Sequence, residues 1–148
     1  MTTTIDNTLV FIKPEGERRR IYIINDLCRI SAIKCQWSVR LDSRMLDGIY
    51  PGVPAIVRAA INDHLLGRTV EVIGLEGDDI VSRAANLIGT HFDPEKCGPN
   101  SLRRRLWNMG GPMPMILEDG VTNYYYNFVH RARTDEESGI QTLAILKS

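Results

Sequence analysis

The chain has 148 residues, of which 43% are hydrophobic and 24% are charged. Its 18 basic residues balance 18 acidic ones, so the net charge gives no reason to expect a nucleic acid or a membrane surface as partner. This length suits a single domain, residues 1–148, with its own hydrophobic core. No apolar run approaches the roughly 20 residues that would span a bilayer.

The cysteines and the N-terminus favour a cytoplasmic protein. Cys28, Cys35 and Cys97 are an odd number at wide spacing, which predicts neither a disulfide framework nor a zinc site. Met1–Asp6 has neither a basic start nor an apolar stretch, so we expect no signal peptide.

The chain begins with a strand–turn–helix–strand pattern. Thr8–Ile12 is a β-branched and aromatic run typical of a buried strand, and Lys13-Pro14-Glu15-Gly16 is a turn signal. Apolar residues at helical spacing predict a helix over about Arg18–Ile30. Alternation over Ile33–Leu41 then predicts a half-buried second strand.

Two helical stretches, near Asp42–Ile49 and Ala55–Leu66, precede a third predicted strand over Thr69–Leu75. Asp78-Asp79 favours the start of the next helix, because negative charge is stabilised at a helix N-terminus. That helix is predicted to run to about Ile88.

The C-terminal third is less regular. Gly89–Asn123 is rich in Gly and Pro with little periodicity, and loops of that length are usually functional or disordered. The aromatic run Tyr124–Val129 predicts the fourth strand. A short helix near Asp135–Ser138 and an extended Thr142–Leu146 complete the predicted elements.

This order of elements predicts an α+β fold. Two β-α-β units separated by two helical pieces are typical of the ferredoxin-like βαββαβ arrangement. We therefore expect a four-stranded antiparallel sheet with helices on its faces and a long loop inserted before the last core strand.

Three features of the sequence suit phosphate chemistry. His130 follows an apolar strand, and a neutral imidazole is a nucleophile at physiological pH. Lys13 lies in a turn from which a point charge can reach a phosphate, and the run Arg103–Arg105 offers planar forks for bidentate contacts. Each also has a plain alternative, namely a strand-capping histidine, a solvated lysine and a solvated basic turn.

The remaining polar candidates are less specific. Asn127 lies three residues before His130, so in a regular strand the two side chains would point to opposite faces unless the backbone twists or ends there. His64, beside Asp63 on a predicted helix, is expected at the surface. His91 has no neighbouring set of metal ligands. The chain has no phosphate-binding loop of the GxxxxGK[ST] type.

Several short motifs occur in one order along the chain, and together they resemble nucleoside diphosphate kinases over most of its length. The motifs are Lys13-Pro14-Glu15-Gly16, Leu75-Glu76-Gly77, Leu87-Ile88-Gly89 with Asp93-Pro94, Ser101-Leu102-Arg103 and Asn127-Phe128-Val129-His130.

The resemblance implies a ping-pong phosphoryl transfer with His130 as the phosphorylated residue. Lys13 and Arg103 would neutralise phosphate oxygens, Asn127 would contact the sugar, and Tyr50 would be a further nucleotide-binding residue. Mg²⁺ would bind through the nucleotide phosphates. The partners implied are nucleoside di- and triphosphates, with no nucleic acid or membrane, in a homo-oligomer that is a tetramer or a hexamer.

The sequence also departs from the family. Arg131-Ala132-Arg133-Thr134 replaces the family's Gly-Ser-Asp-Ser after the nucleophile. Ala85 occupies the position of a phosphate-binding arginine, with Arg83 about half a turn away. Glu136 and Glu137 are the nearest candidates for the acidic residue that orients the histidine.

These departures leave three functions open. The chain is an active kinase, a nucleotide-binding relative with weak or lost kinase activity, or a phosphohistidine enzyme with a different acceptor.

Overall fold

Six strands form in this computed structural model, which describes residues 6–146. They are β1 (Asp6–Ile12), β2 (Ile33–Arg40), β3 (Thr69–Gly77), β4 (Met115–Ile116), β5 (Asn123–Tyr124) and β6 (Val129–His130). Four of them make one antiparallel sheet in the order β2-β3-β1-β6, and β4 and β5 pair separately. Of the segment Met1–Asp6, in which no signal peptide is expected, only Asp6 is described.

Six α-helices connect the strands in the described part of the chain. They are α1 (Arg20–Leu27), α2 (Ser43–Ile49), α3 (Ala55–Leu65), α4 (Ile80–Ile88), α5 (Leu102–Asn108) and α6 (Asp135–Leu146). The order β1-α1-β2-β3-α4-β6, with α2 and α3 between the central strands, is the ferredoxin-like arrangement. The predicted fold class is confirmed.

The sheet carries a hydrophobic core on each face. Successive side chains of a strand point to opposite faces, so Val10 and Ile12 of β1 pack with α1, α4 and α5, while Phe11 packs with α2, α3 and α6. In β3, Ile73 and Val72 divide between the same two cores. Because both faces of β1 and β3 are buried, these strands are rich in apolar and β-branched residues, which predict a strand from the sequence.

The predicted fourth strand, Tyr124–Val129, is wrong. Tyr124 pairs with Met115 in the separate hairpin, and only Val129 and His130 join the main sheet, beside β1. A turn interrupts the run because Phe128 has a φ of +72° and the Val129 N–H donates to the Asn127 carbonyl at 2.8 Å. An i→i+2 bond around a residue of positive φ is the rare, strained form of the γ-turn.

The C-terminal prediction is also wrong in part. Asp135–Ser138 is helical, but the helix continues through Gly139, so the expected extended segment Thr142–Leu146 belongs to α6. The side chains of Ser138, Gln141 and Ile145 are buried at helical spacing, so packing against the core outweighs the poor helix propensity of one glycine.

Two further elements differ from expectation. The predicted helix Arg18–Ile30 is a 3₁₀ turn over Pro14–Arg19 followed by α1. The long segment Gly89–Asn123 contains α5, a 3₁₀ turn over Pro94–Lys96 and the strand β4.

A contact between Gly16 and Phe128 holds the γ-turn against the start of the chain. The Lys13 N–H donates to the Phe128 carbonyl at 2.8 Å, and the Phe128 N–H donates to Glu15 Oε2 at 3.1 Å. A Cβ on Gly16 would lie 2.7 Å from the Phe128 oxygen, closer than real contacts allow. Glycine is therefore required where these two turns meet.

Replacing Gly16 with Ala is expected to destabilise the protein. The added methyl group would force the backbones apart, which typically costs about 1–3 kcal/mol in a packed site. Denaturant unfolding measures the change, with Gly98→Ala as control because a Cβ on Gly98 meets no atom within 4 Å. Equal free energies of unfolding for Gly16→Ala and wild type would contradict this account.

Candidate functional site

A cleft of about 570 Å³ opens beside the C-terminal end of β1 and the short strand β6. All five residues predicted for the site line it, although they come from separate parts of the sequence. They are Lys13, Tyr50, Arg103, Asn127 and His130.

His130 is held by rings on two sides. It lies opposite Phe11 in the sheet, and the two rings stack with centroids 4.6 Å apart and planes inclined by 13°. The Tyr50 ring packs edge-on at 5.2 Å. With only 8% of the residue exposed, the imidazole has a fixed orientation.

A hydrogen bond to Gln141 determines which ring nitrogen of His130 is free. Nε2 of His130 lies 3.0 Å from Gln141 Oε1. The amide nitrogen of Gln141 donates to the Ile49 carbonyl and to Glu137 Oε1, so its oxygen must face the histidine. Because that oxygen only accepts, Nε2 carries the proton of the neutral imidazole. Nδ1 keeps its lone pair and has no hydrogen-bond partner among residues 6–146.

The surroundings keep the imidazole neutral. Burial lowers the pKa of His130 well below its ordinary value, and the positive charge of Lys13 lowers it further. The bond to Gln141 opposes this shift, while Arg103 and Arg131 add to it. The imidazole of His130 is thus unprotonated at physiological pH.

Lys13 is a buried cation with an incomplete set of partners. Its Nζ donates to Asn127 Oδ1 at 2.7 Å and lies 5.9 Å from the centre of the Tyr50 ring. Burial lowers the pKa of Lys13 to about 8, Glu15 raises it and Arg103 lowers it. The ammonium group therefore stays charged at neutral pH, with donors left for an anion.

The run Arg103–Arg105 is part of α5, and its three side chains diverge. Arg103 is buried in the cleft, where it donates to the carbonyls of Val129 (2.8 Å) and His91 (3.0 Å). Arg104 donates to the Glu95 carbonyl, and Arg105 pairs with Asp26. Of these three arginines, only Arg103 lines the cleft.

Arg103 also carries an unsatisfied donor. Its Nε is buried and has no hydrogen-bond partner among residues 6–146. Burial lowers the pKa of Arg103 to about 10, and the charge of Arg131 contributes. The group is still cationic at neutral pH.

The hydroxyl group of Tyr50 is a further unsatisfied polar group. Tyr50 lies at the C-terminus of α2, and its buried Oη makes no hydrogen bond in the described part of the chain. Burial raises the pKa of Tyr50, so the hydroxyl keeps its proton. A neutral donor beside His130 suits a phosphate oxygen.

Asn127 and His130 line the same cleft because of the γ-turn at Phe128. The sequence places these side chains on opposite faces of a regular strand, and the turn changes that register. Besides accepting from Lys13, Asn127 donates to the Phe92 carbonyl at 3.1 Å.

A buried hydrogen-bond network of Tyr124, His64 and Glu15 supports the γ-turn at Phe128. His64 is not a surface residue as predicted; its Nε2 lies 2.6 Å from Glu15 Oε1, and both side chains are 8% exposed. Its Nδ1 lies 2.7 Å from the Tyr124 hydroxyl. The bond to His64 and the nearby Lys13 lower the pKa of Glu15, against the effect of burial. Glu15 is thus ionised and accepts the Phe128 N–H.

No helix within residues 6–146 is long and apolar enough to cross a membrane.

Solved structures share this arrangement across nearly the whole chain. The nucleoside diphosphate kinase of Aquifex aeolicus is 18% identical with a TM-score of 0.72, and the match covers 96% of this chain and 95% of that one. The Borrelia burgdorferi enzyme, solved as a transition-state mimic with vanadate and ADP, is 16% identical with a TM-score of 0.75 over 97% and 88%. A kinase from Pyrobaculum aerophilum is 15% identical with a TM-score of 0.71 over 95% of each chain.

The chain has the nucleoside diphosphate kinase fold. No protein-family model matches the sequence, and no curated protein matches it either. The fold is therefore shared with these structures at a sequence identity of only 15–18%.

Within this fold, two expectations about supporting residues are revised. Arg83 is turned away from the cleft, donating to the carbonyls of Ile30 and Asp78, so it does not replace the arginine missing at Ala85. The group that contacts His130 is the amide of Gln141 rather than Glu136 or Glu137. Glu137 contacts that amide in turn.

Sequence reasoning missed Gln141 and Arg131. The helix Asp135–Leu146 places Glu137 and Gln141 one turn apart on one face. The predicted helix ended at Ser138, so it did not include Gln141. Arg131 follows His130 directly, and nothing in the sequence shows where its side chain lies.

Placing a carboxylate against Nε2 is expected to raise the pKa of His130. The variant combines Gln141→Glu with Glu137→Gln. The second change removes the carboxylate of Glu137, which would otherwise repel the new carboxylate at position 141. An opposite charge at this distance raises a histidine pKa by roughly one to three pH units. NMR titration of the imidazole resonances measures the pKa, with Glu137→Gln alone as control. A wild-type His130 that titrates near 6.5, or a pKa unmoved by the new carboxylate, would contradict the assigned contact.

Proposed function

We propose that this protein transfers a phosphoryl group from a nucleoside triphosphate to a nucleoside diphosphate through a phosphohistidine at His130. The observation that carries the proposal is one cleft in which a neutral, oriented imidazole is surrounded by buried cations without carboxylate partners. No carboxylate of residues 6–146 lies within 4.0 Å of the charged groups of Lys13, Arg103 or Arg131. Burying unpaired charge is costly, so this cleft suits a polyanion.

The reaction has two balanced steps. Nδ1 of His130 attacks the γ-phosphorus, the bond from phosphorus to the bridging oxygen breaks, and the nucleoside diphosphate leaves. A terminal oxygen of the second nucleoside diphosphate then attacks the same phosphorus, and the P–N bond breaks. The proton on Nε2 stays in its bond to Gln141 throughout.

The other residues act by position and charge. Phosphoryl transfer requires in-line geometry and neutralisation of the equatorial oxygens more than covalent chemistry. Lys13 and Arg103 supply the positive charge, and the free hydroxyl of Tyr50 donates a further hydrogen bond. Asn127 Oδ1 retains a lone pair beyond its bond to Lys13, which suits a sugar hydroxyl.

Mg²⁺ belongs to this proposal as an ion carried on the nucleotide. Within residues 6–146, no cluster of three or more His, Cys, Asp or Glu side chains is suited to hold an ion, and Glu137 is the only carboxylate lining the cleft. These residues fit a site in which the protein binds the phosphates and the phosphates, rather than protein side chains, hold the metal ion. When carried in on the nucleotide, Mg²⁺ would neutralise part of the phosphate charge, and Lys13 and Arg103 would add to that neutralisation.

We also propose a cytoplasmic homo-oligomer, a tetramer or a hexamer. Cys28, Cys35 and Cys97 are free thiols, which suits a reducing compartment. One edge of the main sheet, β2, has no strand beside it among the described residues. The mass of the protein in solution tests the assembly.

Incubation with γ-labelled ATP and Mg²⁺ is expected to give wild-type protein an acid-labile label that maps to the peptide containing His130. A folded His130→Ala variant should acquire none, because the nucleophile is lost. The label should then pass to added GDP or dTDP.

Other outcomes identify the alternatives. Nucleotide binding without any label on the wild type would sink the phosphohistidine mechanism and favour a nucleotide-binding relative. A label that forms but never passes to a nucleoside diphosphate would mean a different acceptor. Circular dichroism of His130→Ala verifies that loss of label is not loss of fold.

A further inference from the structure

We propose that Arg131 is a second phosphate-binding guanidinium of the cleft, contacting the polyphosphate chain of the nucleotide together with Arg103. The inference rests on the proposed function only in taking a polyphosphate as ligand. It assigns a role to a residue at which the chain departs from the kinases that it resembles.

Arg131 reaches the cleft because it lies just beyond the end of β6. Inside a strand, neighbouring side chains point to opposite faces, yet both His130 and Arg131 line the cleft. Arg131 is 7% exposed, and its Nε and Nη2 both donate to the Gly89 carbonyl, at 3.0 and 2.6 Å. These bonds fix the plane of the guanidinium.

Arg103 converges on the same point. Its Nη1 lies 3.5 Å from the same Gly89 oxygen, so two buried guanidinium groups share one carbonyl. Keeping both groups charged costs free energy, since burial lowers the pKa of both and the charge of Arg131 lowers the pKa of Arg103 further. Arg103 also donates to the carbonyls of Val129 and His91, but neutral carbonyls do not compensate two positive charges, and an anion between the groups would reduce the repulsion.

Both groups keep donors for such an anion. Nη1 of Arg131 and Nε of Arg103 make no hydrogen bond to any residue in the range 6–146. Two planar forks at fixed angles suit the tetrahedral oxygens of adjacent phosphates better than point charges would. The ligand class is therefore a di- or triphosphate chain rather than a single carboxylate.

Neighbouring arginines do not offer the same arrangement. Arg83 lies outside the cleft on the carbonyls of Ile30 and Asp78. Arg133 lines the cleft, but its side chain is 78% exposed and paired with Glu137. Arg131 alone joins Arg103 as a buried guanidinium without a carboxylate partner in the described part of the cleft.

Calorimetric titration with inorganic tripolyphosphate at fixed salt tests the role without any phosphoryl transfer. Arg131→Gln is expected to weaken binding roughly tenfold to hundredfold, the effect of losing charge-assisted hydrogen bonds. Arg131→Lys, which keeps the charge and loses the fork, should fall between Arg131→Gln and wild type. Arg83→Gln is the matched control, since Arg83 also donates only to backbone carbonyls, and it should bind as wild type does.

Two results of the calorimetric titration would overturn the assignment: no binding of tripolyphosphate by the wild type, or equal binding by folded Arg131→Gln. If Arg131→Gln does not fold, the wild type still decides, because tripolyphosphate should shift the NMR resonance of the Arg131 Nε–H group. An unmoved resonance overturns the proposal as well. If His130 acquires the label but Arg131→Gln binds tripolyphosphate as the wild type does, only the inference about Arg131 is refuted. If tripolyphosphate binding depends on Arg131 but the wild type acquires no label from ATP, only the proposed function is refuted.

Discussion

The backbone hydrogen bond between Lys13 and Phe128 is the contact on which the rest of the site depends. It joins the end of β1 to the strained γ-turn that precedes β6, and the positive φ of Phe128 persists only because its surroundings hold it. Glu15 accepts the N–H of the same residue, and Gly16 permits the close approach. One turn thereby directs Asn127, which precedes Phe128 in the chain, and His130, which follows it, into a single cleft.

Electrostatics in this cleft favour ligand binding over stability of the empty protein. Lys13, Arg103 and Arg131 are buried without a carboxylate partner among residues 6–146, and burial lowers the pKa of all three. Their combined charge also helps to keep His130 neutral. The proposed function makes use of that arrangement, because a polyphosphate compensates the charges that the protein leaves unpaired. The neutral amide of Gln141 orients the imidazole but offers a phosphorylated ring no negative charge. On this account phosphoryl transfer proceeds, with less stabilisation of its intermediate than a carboxylate would give.

Local patterns in the sequence predicted most of the sheet, and the resemblance to nucleoside diphosphate kinases supplied the set of cleft residues. Strands β1 and β3 were evident because their side chains alternate between two cores, and Lys13, Arg103 and His130 appeared through motifs in a recognisable order. What escaped prediction depends on distant contacts. A positive φ at a bulky residue such as Phe128 has no local signal. His64 read as a surface residue because its partners, Glu15 and Tyr124, lie 49 and 60 positions away.

The identity of the reacting nitrogen is the most direct test of the whole account. The bond from His130 Nε2 to Gln141 leaves Nδ1 as the only nucleophilic nitrogen of the ring. After reaction of ¹⁵N-histidine-labelled protein with ATP and Mg²⁺, phosphorus–nitrogen coupling in NMR spectra identifies the bonded atom. We predict phosphorus on Nδ1 of His130. Phosphorus on Nε2, or on another residue, would contradict the geometry described for the site.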